Sequence, residues 1–460
     1  VLEIHTSDDL LLTVGQDLVG VHTFKTINIL DGSSLDLGED RLEIEEPSGS
    51  VIDSNATIQA GQLPQSLLEI AALGGGQIIL NDTAIFGDVS FDNLGDSTLI
   101  FNNAISVNSL SVSSGQVIFN DTLNVVTDLS VANNATLTAL DVTATNMTVT
   151  DATVEGEYLE LSGDLTLGAN GVLSTPMATL SPDRVYGLHL DVTGTVNIAD
   201  TAMIDLEGKG YPNSYYSGPD FTYNTRESSH GGVRRNAIDE TAYGRFERAR
   251  FAGSAGERYN DDYPGQGGGV VELFANTLQL DGVINANGAR GYRYGGAGGG
   301  VHIEVGSFSG AVSGKLLVDG GTKNSISPTS YSAGAGGRIS VYASDFTGYL
   351  GSASAQSGVG DTAGAGTVYW QDLSEDYGDL VVDNGGNVAP AGSTPIRTVG
   401  RHTIVGAYQV TTGVWKVEVS GTPWVNSAND DDWGVDGLTV DLDASEESSN
   451  HYSIESNTEN

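Results

Sequence analysis

The residues of this chain that are suited to chemistry are concentrated in one stretch, residues 212–266. The stretch contains four acidic residues and one histidine that could form a catalytic group: Asp239, Glu240, Asp261, Asp262 and His230. Cleavage of a polysaccharide by carboxylates needs two acids, one of them protonated, facing one bond about 5–10 Å apart. Sixty acidic residues make chance neighbours frequent, and no spacing motif selects a pair. The sequence therefore leaves catalysis open and assigns no catalytic residue.

The same insertion is rich in arginine and tyrosine, whereas the chain before Arg184 contains only two basic residues, Lys25 and Arg41. Three interpretations compete. The loop folds against its own chain with arginines paired to an acidic wall, it contacts a neighbouring subunit, or it forms a carbohydrate groove of tyrosine rings and arginines. The candidate interface or ligand-binding residues are Arg226, Arg234, Arg235, Arg245, Arg248, Arg250, Tyr215, Tyr216, Tyr223 and Tyr243.

An acidic cluster near the carboxyl end, "NDDDWGVDGLTVDLD", could bind a hard cation. Its candidate ligands are Asn429, Asp430, Asp431, Asp432 and Asp436. Calcium takes six to eight oxygen ligands of this type, but the stretch does not match the EF-hand loop. The competing interpretation is a solvated acidic surface. The seven histidines form no transition-metal motif.

Glycine runs recur in the second half of the chain, of which "GGAGGGVHIEV" ending at Val305 is the densest. A phosphate-binding loop would need a following helix and, in nucleotide hydrolases, a "GK[ST]" ending, and neither is present. Four copies end on Gly269, Gly300, Gly337 and Gly366, at uneven intervals. We expect these glycines to provide positive φ angles and close stacking at one corner of a repeated β-structure, with the strand of the densest copy at Val301 to Val305.

Composition limits the possible partners and the compartment. The net charge of −41 would repel phosphates, which makes nucleic acid an unlikely partner. Cysteine is absent, which excludes disulfides and thiol catalysis, and no apolar run is long enough to span a bilayer. The chain begins at Val1 without methionine, which suggests a processed or excised segment and favours export.

Shorter repeats precede the glycine runs, between residues 74 and 171. The motifs "QIILND", "TLIFNN", "QVIFND" and "LTALDV" place Asn81, Asn102, Asn120 and Asp141 in equivalent positions at nearly even spacing. That spacing is typical of one turn of a three-sided parallel β-helix, in which each strand pairs with its equivalent about 4.8 Å away. We expect Asn81, Asn102 and Asn120 to stack along the axis.

Helical periodicity is nearly absent, and the pattern predicts an all-β chain built on a right-handed parallel β-helix, a solenoid. We expect three parts: amino-terminal coils in 1–187, glycine-rich coils in 188–370 interrupted by the insertion 212–266, and a β cap or small β module in 371–460. About 14 coils would give a rod roughly 65 Å long.

The ordered series "LHLDVTGTVNIADTAMIDLEGKGY", "GQGGGVVELFANTLQLDGVINANG", "GAGGGVHIEV", "GAGGRISVYASDFTG" and "GAGTVYW" resembles the glycine-rich β-helical regions of very large exported bacterial and archaeal surface proteins. The resembling series begins at Leu188 and continues to Gly386. It implies an adhesin, stalk or envelope component and identifies no ligand.

The sequence thus predicts an extracellular or cell-surface structural or adhesive protein with no transmembrane segment. Exposed solenoid ends, together with the arginine- and tyrosine-rich insertion, favour association of copies into a fibre, sheath or envelope layer. Polysaccharide is the other expected partner, and calcium the one expected cofactor. The alternative function is a polysaccharide-degrading lyase or glycoside hydrolase, or a carbohydrate-binding β-helix.

Overall fold

The computed structural model describes the backbone of all its assigned strands and the side chains of a smaller set. That set comprises residue 91 and residues 99–101, 104–178, 185–212, 228–234, 242–256, 265–324, 332–359, 363–389, 392–396 and 405–409. All regular structure in the described residues is β-strand, and no helix occurs among them. The prediction of an all-β fold is confirmed for the described residues.

Thirty-eight strands follow one another in the described parts of the chain. In the first part they are β1 Leu2–His5, β2 Val21–Phe24, β3 Ile27–Leu30, β4 Ser34–Asp36, β5 Arg41–Ile44, β6 Val51–Ile52, β7 Thr57–Gln59, β8 Leu68–Ala71, β9 Gln77–Leu80, β10 Ala84–Asp92, β11 Thr98–Phe101, β12 Ile105–Val112, β13 Gln116–Phe119, β14 Leu123–Val125, β15 Asp128–Ala132, β16 Thr136–Ala139, β17 Asp141–Ala144, β18 Asn146–Thr150, β19 Thr153–Glu155, β20 Tyr158–Leu161, β21 Leu165–Leu167 and β22 Val172–Ser174. In the second part they are β23 Thr179–Leu180, β24 Asp183–Arg184, β25 Gly187–Ile198, β26 Met203–Asp205, β27 Val270–Leu280, β28 Val283–Asn285, β29 Gly300–Gly310, β30 Lys315–Leu317, β31 Arg338–Tyr349, β32 Ser352–Ser354, β33 Thr367–Asp372, β34 Asp379–Val381, β35 Ile404–Thr411, β36 Val414–Val419, β37 Thr439–Asp441 and β38 His451–Ser453.

Two long parallel sheets organise most of these strands. The ten-stranded sheet has the order β9-β11-β13-β16-β19-β22-β26-β28-β30-β32. The second, called the long sheet, runs from β8 through β10, β12, β25, β27, β29 and β31 to β33. Between β12 and β25 it splits into two rows of short strands, β14-β17-β20 and β15-β18-β21. From β25 to β33 the chain alternates between the two sheets, so each strand pairs with its equivalent one round later.

The inward faces of both sheets form one hydrophobic core. Short strands such as β20 alternate exposed and buried residues, as expected for a sheet with one solvated face. Leu137, Leu165 and Leu273 are completely buried in this core. Phe101 stacks on Phe119 with ring centroids 4.6 Å apart. Equivalent apolar residues therefore stack round after round.

The register corrects one detail of the short repeats. Leu80, Phe101, Phe119 and Ala139 are in register. Leu140 therefore follows the fourth strand, and Asp141, expected to be equivalent to Asn120, lies one residue later. The predicted stacking of Asn81 and Asn102 falls outside the described residues.

Polar side chains do form ladders, at another corner of the same rounds. Asn146 Nδ2 donates to Asp128 Oδ1 over 2.9 Å, and Asn146 Oδ1 accepts the Asp164 amide over 3.0 Å. Asp164 Oδ1 in turn accepts the Thr195 amide over 2.7 Å. A continuous side-chain ladder thus links four successive rounds.

The register also corrects the alignment of the glycine runs. Val270, Gly300, Arg338 and Thr367 are in register, so the aligned glycines are Gly269, Gly299, Gly337 and Gly366. Gly300 begins strand β29, which extends to Gly310 and not only from Val301 to Val305. The intervals between the aligned glycines remain uneven.

The expected positive φ angles are absent from these runs. Positive-φ glycines among the described residues are Gly115, Gly208, Gly244, Gly385 and Gly386, none of which lies in a run. The runs contain glycine because neighbouring backbone segments approach each other closely. A Cβ on Gly299 would overlap the carbonyl oxygen of Gly269, and a Cβ on Gly366 would overlap that of Gly337. Glycine is required here because backbone packs directly on backbone.

The last parallel strand of the long sheet is covered by a reversed one. Strand β34 pairs antiparallel with β33, with Val381 opposite Val368. The parallel order of this sheet ends at this pair within the described residues.

Candidate functional site

The structure describes two pieces of the insertion, residues 228–234 and 242–256, called the insertion segments. Of the residues singled out in the sequence, they contain His230, Arg234, Tyr243, Arg245, Arg248 and Arg250. Those outside the described residues are Arg226, Arg235, Tyr215, Tyr216, Tyr223, Asp239, Glu240, Asp261, Asp262, Asn429, Asp430, Asp431, Asp432 and Asp436.

Successive backbone amides of each glycine run donate hydrogen bonds to three different neighbouring segments in turn. In the run 295–299 the amide donors and carbonyl acceptors are Gly296 to Ala289 (3.0 Å), Ala297 to Ser254 (2.9 Å), Gly298 to Ala335 (2.9 Å) and Gly299 to Ala286 (2.8 Å). In the run 333–337 they are Gly334 to Gly321 (2.9 Å), Ala335 to Ser228 (2.9 Å), Gly336 to Gly364 (3.1 Å) and Gly337 to Val318 (2.8 Å). Amides three residues apart therefore donate to the same side of the run. Three residues per turn is the period of a polyproline-II helix, which has no internal hydrogen bonds.

The insertion segments form the outer layer of this glycine packing. Ala297 and Ala335, the second donors of the two runs, both bond to insertion carbonyls, at Ser254 and Ser228. In return, Gly232 donates to the Gly336 carbonyl over 3.0 Å. The side chains of residues 228–230 are completely buried. The insertion segments are therefore part of the packed body, on the side away from the aliphatic core.

His230 lies at the centre of this outer layer. Its Nδ1 is 2.8 Å from the Gly298 carbonyl oxygen, and its ring stacks on Tyr243 with centroids 4.6 Å apart. Its Nε2 is buried and has no hydrogen-bond partner among the described residues. Burial, and secondarily the nearby Arg338 charge, lower the pKa of His230 to about 3. The imidazole is thus held neutral at physiological pH, and the structure brings His230 and Tyr243 together.

Arg338 fastens the insertion to the sheet. Its side chain is almost wholly buried, Nε donates to the Tyr243 carbonyl over 2.9 Å, and Nη1 donates to Thr367 Oγ1 over 3.2 Å. Tyr243 Oη donates to the Ala252 carbonyl over 2.7 Å. Tyr243 is therefore used inside the molecule rather than at its surface.

Three arginines of the insertion lie over the outer face of the long sheet. Arg250 Nε is 2.5 Å from Glu272 Oε2, and Arg245 Nε is 3.8 Å from Glu247 Oε2. Neither Nε–H makes a hydrogen bond to its partner oxygen, so these contacts are ion pairs. Burial raises the pKa of the Glu272 carboxyl, and electrostatic interactions with His302, His189 and Arg248 oppose this rise. Arginine to acid pairing occurs here within one chain.

Beside these pairs, Ser340, His302 and Glu304 form a connected network. His302 Nδ1 is 2.7 Å from Ser340 Oγ, and His302 Nε2 is 2.9 Å from Glu304 Oε1. Ser340 Oγ also accepts the Ala249 amide over 3.0 Å. The hydrogen bond from His302 holds the pKa of Glu304 below its usual range. These residue types resemble a nucleophilic triad, but Ser340 is completely buried under Ala249 and has no access to a substrate.

Sequence reasoning missed this network although the signal was present. The copies "VVELFA", "VHIEVG" and "RISVYA" place Glu272, His302 and Ser340 in one outward row. Phe274, Glu304 and Tyr342 form the next row. These rows appear only when the glycine runs are aligned on Gly299 rather than on Gly300. An alignment that is wrong by one residue moves every side chain of a strand to the opposite face of the sheet.

An open groove lies further along the same outer face, where the insertion segments do not cover it. Its volume is about 450 Å³, and its lining residues are Asn124, Val125, Val126, Thr143, Ala144, Thr145, Glu160, Leu161, Ser162, Asp191 and Thr193. Asn124, Thr143, Glu160 and Asp191 form one in-register row across four strands. This row was also not singled out in the sequence.

A metal site is not formed by the described side chains. Within the described ranges, no group of three or more histidine and acidic residues is arranged to hold a metal ion. The predicted calcium ligands lie outside those ranges. No helix able to cross a membrane is found in the part of the chain that the structure describes.

Comparison with protein-family models, with curated proteins and with solved structures finds no significant match to this chain.

Proposed function

We propose that this chain is a structural and adhesive part of an exported surface protein, built as a right-handed parallel β-helix. The observation that carries the proposal is the continuous stacking of in-register parallel strands, ten of them in one sheet, over a single core. A repeating body of this kind supports length and stiffness because each round is fixed by its neighbours. The right hand follows the crossover rule for parallel strands.

The insertion segments support a structural role over a catalytic one. They contribute buried backbone and the neutral, buried His230 to the glycine packing, and their arginines pair with acids of the same chain. The buried Ser340 favours the same interpretation of the network around His302. A polysaccharide-degrading enzyme, the alternative, requires two acids facing one bond in an open cleft.

Association of copies is the second element of the proposal. Ends of parallel sheets expose backbone donors and acceptors that can pair with another copy. Ten of the fifteen exposed large hydrophobic side chains among the described residues lie at Leu350 or later in the sequence, from the last strands of the stack onward. We expect copies to join through this end on the outside of the cell, and calcium to act at the acidic carboxyl-terminal stretch.

Electron microscopy of the full chain at high concentration, with calcium, tests this proposal. We expect filaments or end-to-end chains of rods, with Leu350→Asp and Val388→Asp together shortening them. The matched control is Val126→Asp, an exposed valine distant in sequence from this end. Monodisperse particles of the wild type under these conditions would contradict association. A melting temperature unchanged by chelator would contradict the calcium role.

A further inference from the structure

We infer that the open groove across strands β14, β17, β20 and β25 binds a linear neutral polysaccharide lying along the direction in which the strands stack. The inference deepens the adhesive part of the proposed function and rests on it. The proposed binding surface is separate from the insertion segments, because Tyr243 and Arg250 of those segments make contacts within the chain.

The floor of the groove is a row of hydrogen-bonding side chains with a regular spacing. Asn124, Thr143, Glu160 and Asp191 follow one another on paired parallel strands about 4.8 Å apart, so the row spans about 14 Å. A sugar unit of an extended glycan advances by a similar distance. Successive sugars can therefore meet equivalent polar groups, which a globular ligand could not do.

The polar groups of the floor are only partly used by the protein. Thr143 Oγ1 donates to Asn124 Oδ1 over 2.8 Å, which orients the amide. Glu160 and Asp191 are exposed, and their carboxylates make no hydrogen bond or ion pair among the described residues. Carboxylates are acceptors only, and sugar hydroxyls are donors that match them.

The rim of the groove combines hydroxyl groups with apolar surface. Thr145, Ser162 and Thr193 form one side, and Ser162 and Thr193 are exposed. Val126 is 58% exposed at one end of the groove. Tyr158 does not line the groove, but it precedes Glu160 by two residues on the same face of the strand and is 52% exposed. The ring of Tyr158 lies 5.9 Å from that of His189, which supports its position. Exposed aromatic and aliphatic surface beside hydroxyl groups suits the mixed faces of a sugar ring.

Charge selects a neutral polymer. The chain carries a net charge of −41, and two unpaired carboxylates lie on the groove floor. An acidic polysaccharide would be repelled both at long range and at contact. The same two carboxylates lie side by side on the floor, whereas glycoside hydrolysis needs acids that flank the bond from different sides. The arrangement fits binding without cleavage.

Calorimetry with the full chain tests the inference, using cellohexaose, mannohexaose and maltohexaose as neutral probes and hexagalacturonate as the acidic one. We expect at least one neutral hexaose to bind and hexagalacturonate not to bind. Thr143→Arg, which fills the groove, should weaken binding at least tenfold. The matched control is Thr136→Arg, a similarly half-buried outward threonine on the ten-stranded sheet, which should leave the affinity unchanged.

A second variant keeps the test decisive if Thr143→Arg does not fold. Glu160→Gln with Asp191→Asn preserves the shape of the groove while removing its two negative charges, and should weaken neutral binding about threefold to tenfold. Failure of all three neutral probes, or equal binding by Thr143→Arg and the wild type, would overturn the inference. Release of shorter sugars would also overturn it, in favour of an enzyme. Filament formation is measured separately, so loss of glycan binding with intact filaments would leave the structural proposal standing.

Discussion

Two regions of the molecule build the same pair of sheets by opposite means. In residues 104–178, the ladder region, four of the five positive-φ residues carry side chains, Asn133, Asn134, Asp151 and Asn170, and the fifth is Gly115. In residues 265–366, the glycine-rich region, the runs have no positive φ and hydrogen-bond through their backbones to three neighbours. The ladder region is held at its corners by side chains, and the glycine-rich region by main chain.

The two kinds of repeat make different demands on the sequence. A corner closed by a side chain needs an amide or carboxylate that can adopt the left-handed conformation, as Asn170 does while donating to Asp151 over 2.7 Å. A corner closed by main-chain packing needs glycine, because a Cβ atom would overlap the neighbouring backbone. Substitutions in the ladder region should therefore lower stability by small amounts that depend on the side chain. In the glycine-rich region, any substitution that adds a larger side chain should lower stability strongly.

The largest expected effect is at Gly298, where any Cβ would overlap the Val318 carbonyl oxygen. We expect Gly298→Val to lower the free energy of unfolding by more than about 4 kcal/mol, because backbone on backbone leaves no side chain to move aside. Urea denaturation followed by circular dichroism measures this change.

The matched control for Gly298 is Gly187→Ala, at the start of β25. A Cβ there would meet only Val270 Cγ1, at 3.2 Å. We expect a change of less than about 1 kcal/mol, since one methyl group can shift. Equal losses for the two variants would show that close backbone approach is not what the runs require.

An intermediate effect is expected from pH at His230. Its folded pKa of about 3 lies below the ordinary 6.5, so between these values the unfolded chain binds a proton that the folded chain does not. Stability contributed by the neutral ring is therefore lost as pH falls, by about 2–3 kcal/mol between pH 6 and pH 4. His230→Gln should show a correspondingly shallower decline in urea midpoints.

His189→Gln is the control for the pH measurement, because His189 lies on the partly exposed outer face. The raised pKa of Glu272 acts in the opposite direction, since a buried carboxyl gains stability on protonation. This contribution is shared by the wild type and His230→Gln, and it is larger in His189→Gln, which removes one of the groups that oppose the rise. Parallel pH profiles for wild type and His230→Gln would refute the assignment.

The smallest effect is expected in the ladder region, from Asn146→Ala. The change removes two hydrogen bonds to Asp128 and Asp164, both at exposed positions where water can replace them. We expect a loss of about 0.5–1.5 kcal/mol. Asn124→Ala, whose amide lies in the groove row, is a comparable exposed substitution. A loss as large as that of Gly298→Val would remove the distinction between the two regions.

The sequence was sufficient for the strand content and the repeats, because apolar alternation and recurring glycines are local signals. It misplaced Gly300 and Asp141 by one residue, since register depends on which residues pair across rounds. The burial of His230 and Tyr243 could not be predicted from the sequence either. A tyrosine and arginine-rich loop has the composition of an interface whether it packs on its own chain or on another.

The outer face shows the same limit. His302 and Ser340 lie far apart in the sequence and become neighbours only through the pairing of β29 with β31. The groove required knowing that Glu160 and Asp191 are in register across the antiparallel pair β23–β24 that separates them in the chain. Both sites depend on pairing rather than on a motif.

The three-way bonding of the glycine runs also constrains how such a chain can change over time. A run packed on the main chain of its neighbours leaves room for little beyond glycine and alanine, as at the equivalent positions Gly267, Ala297 and Ala335. Variation is instead accommodated in the connecting segments, as the unequal intervals between the aligned Gly269, Gly299, Gly337 and Gly366 indicate. Inheritance in this region should therefore proceed by gain, loss or lengthening of whole rounds, and engineered versions should be assembled in the same units.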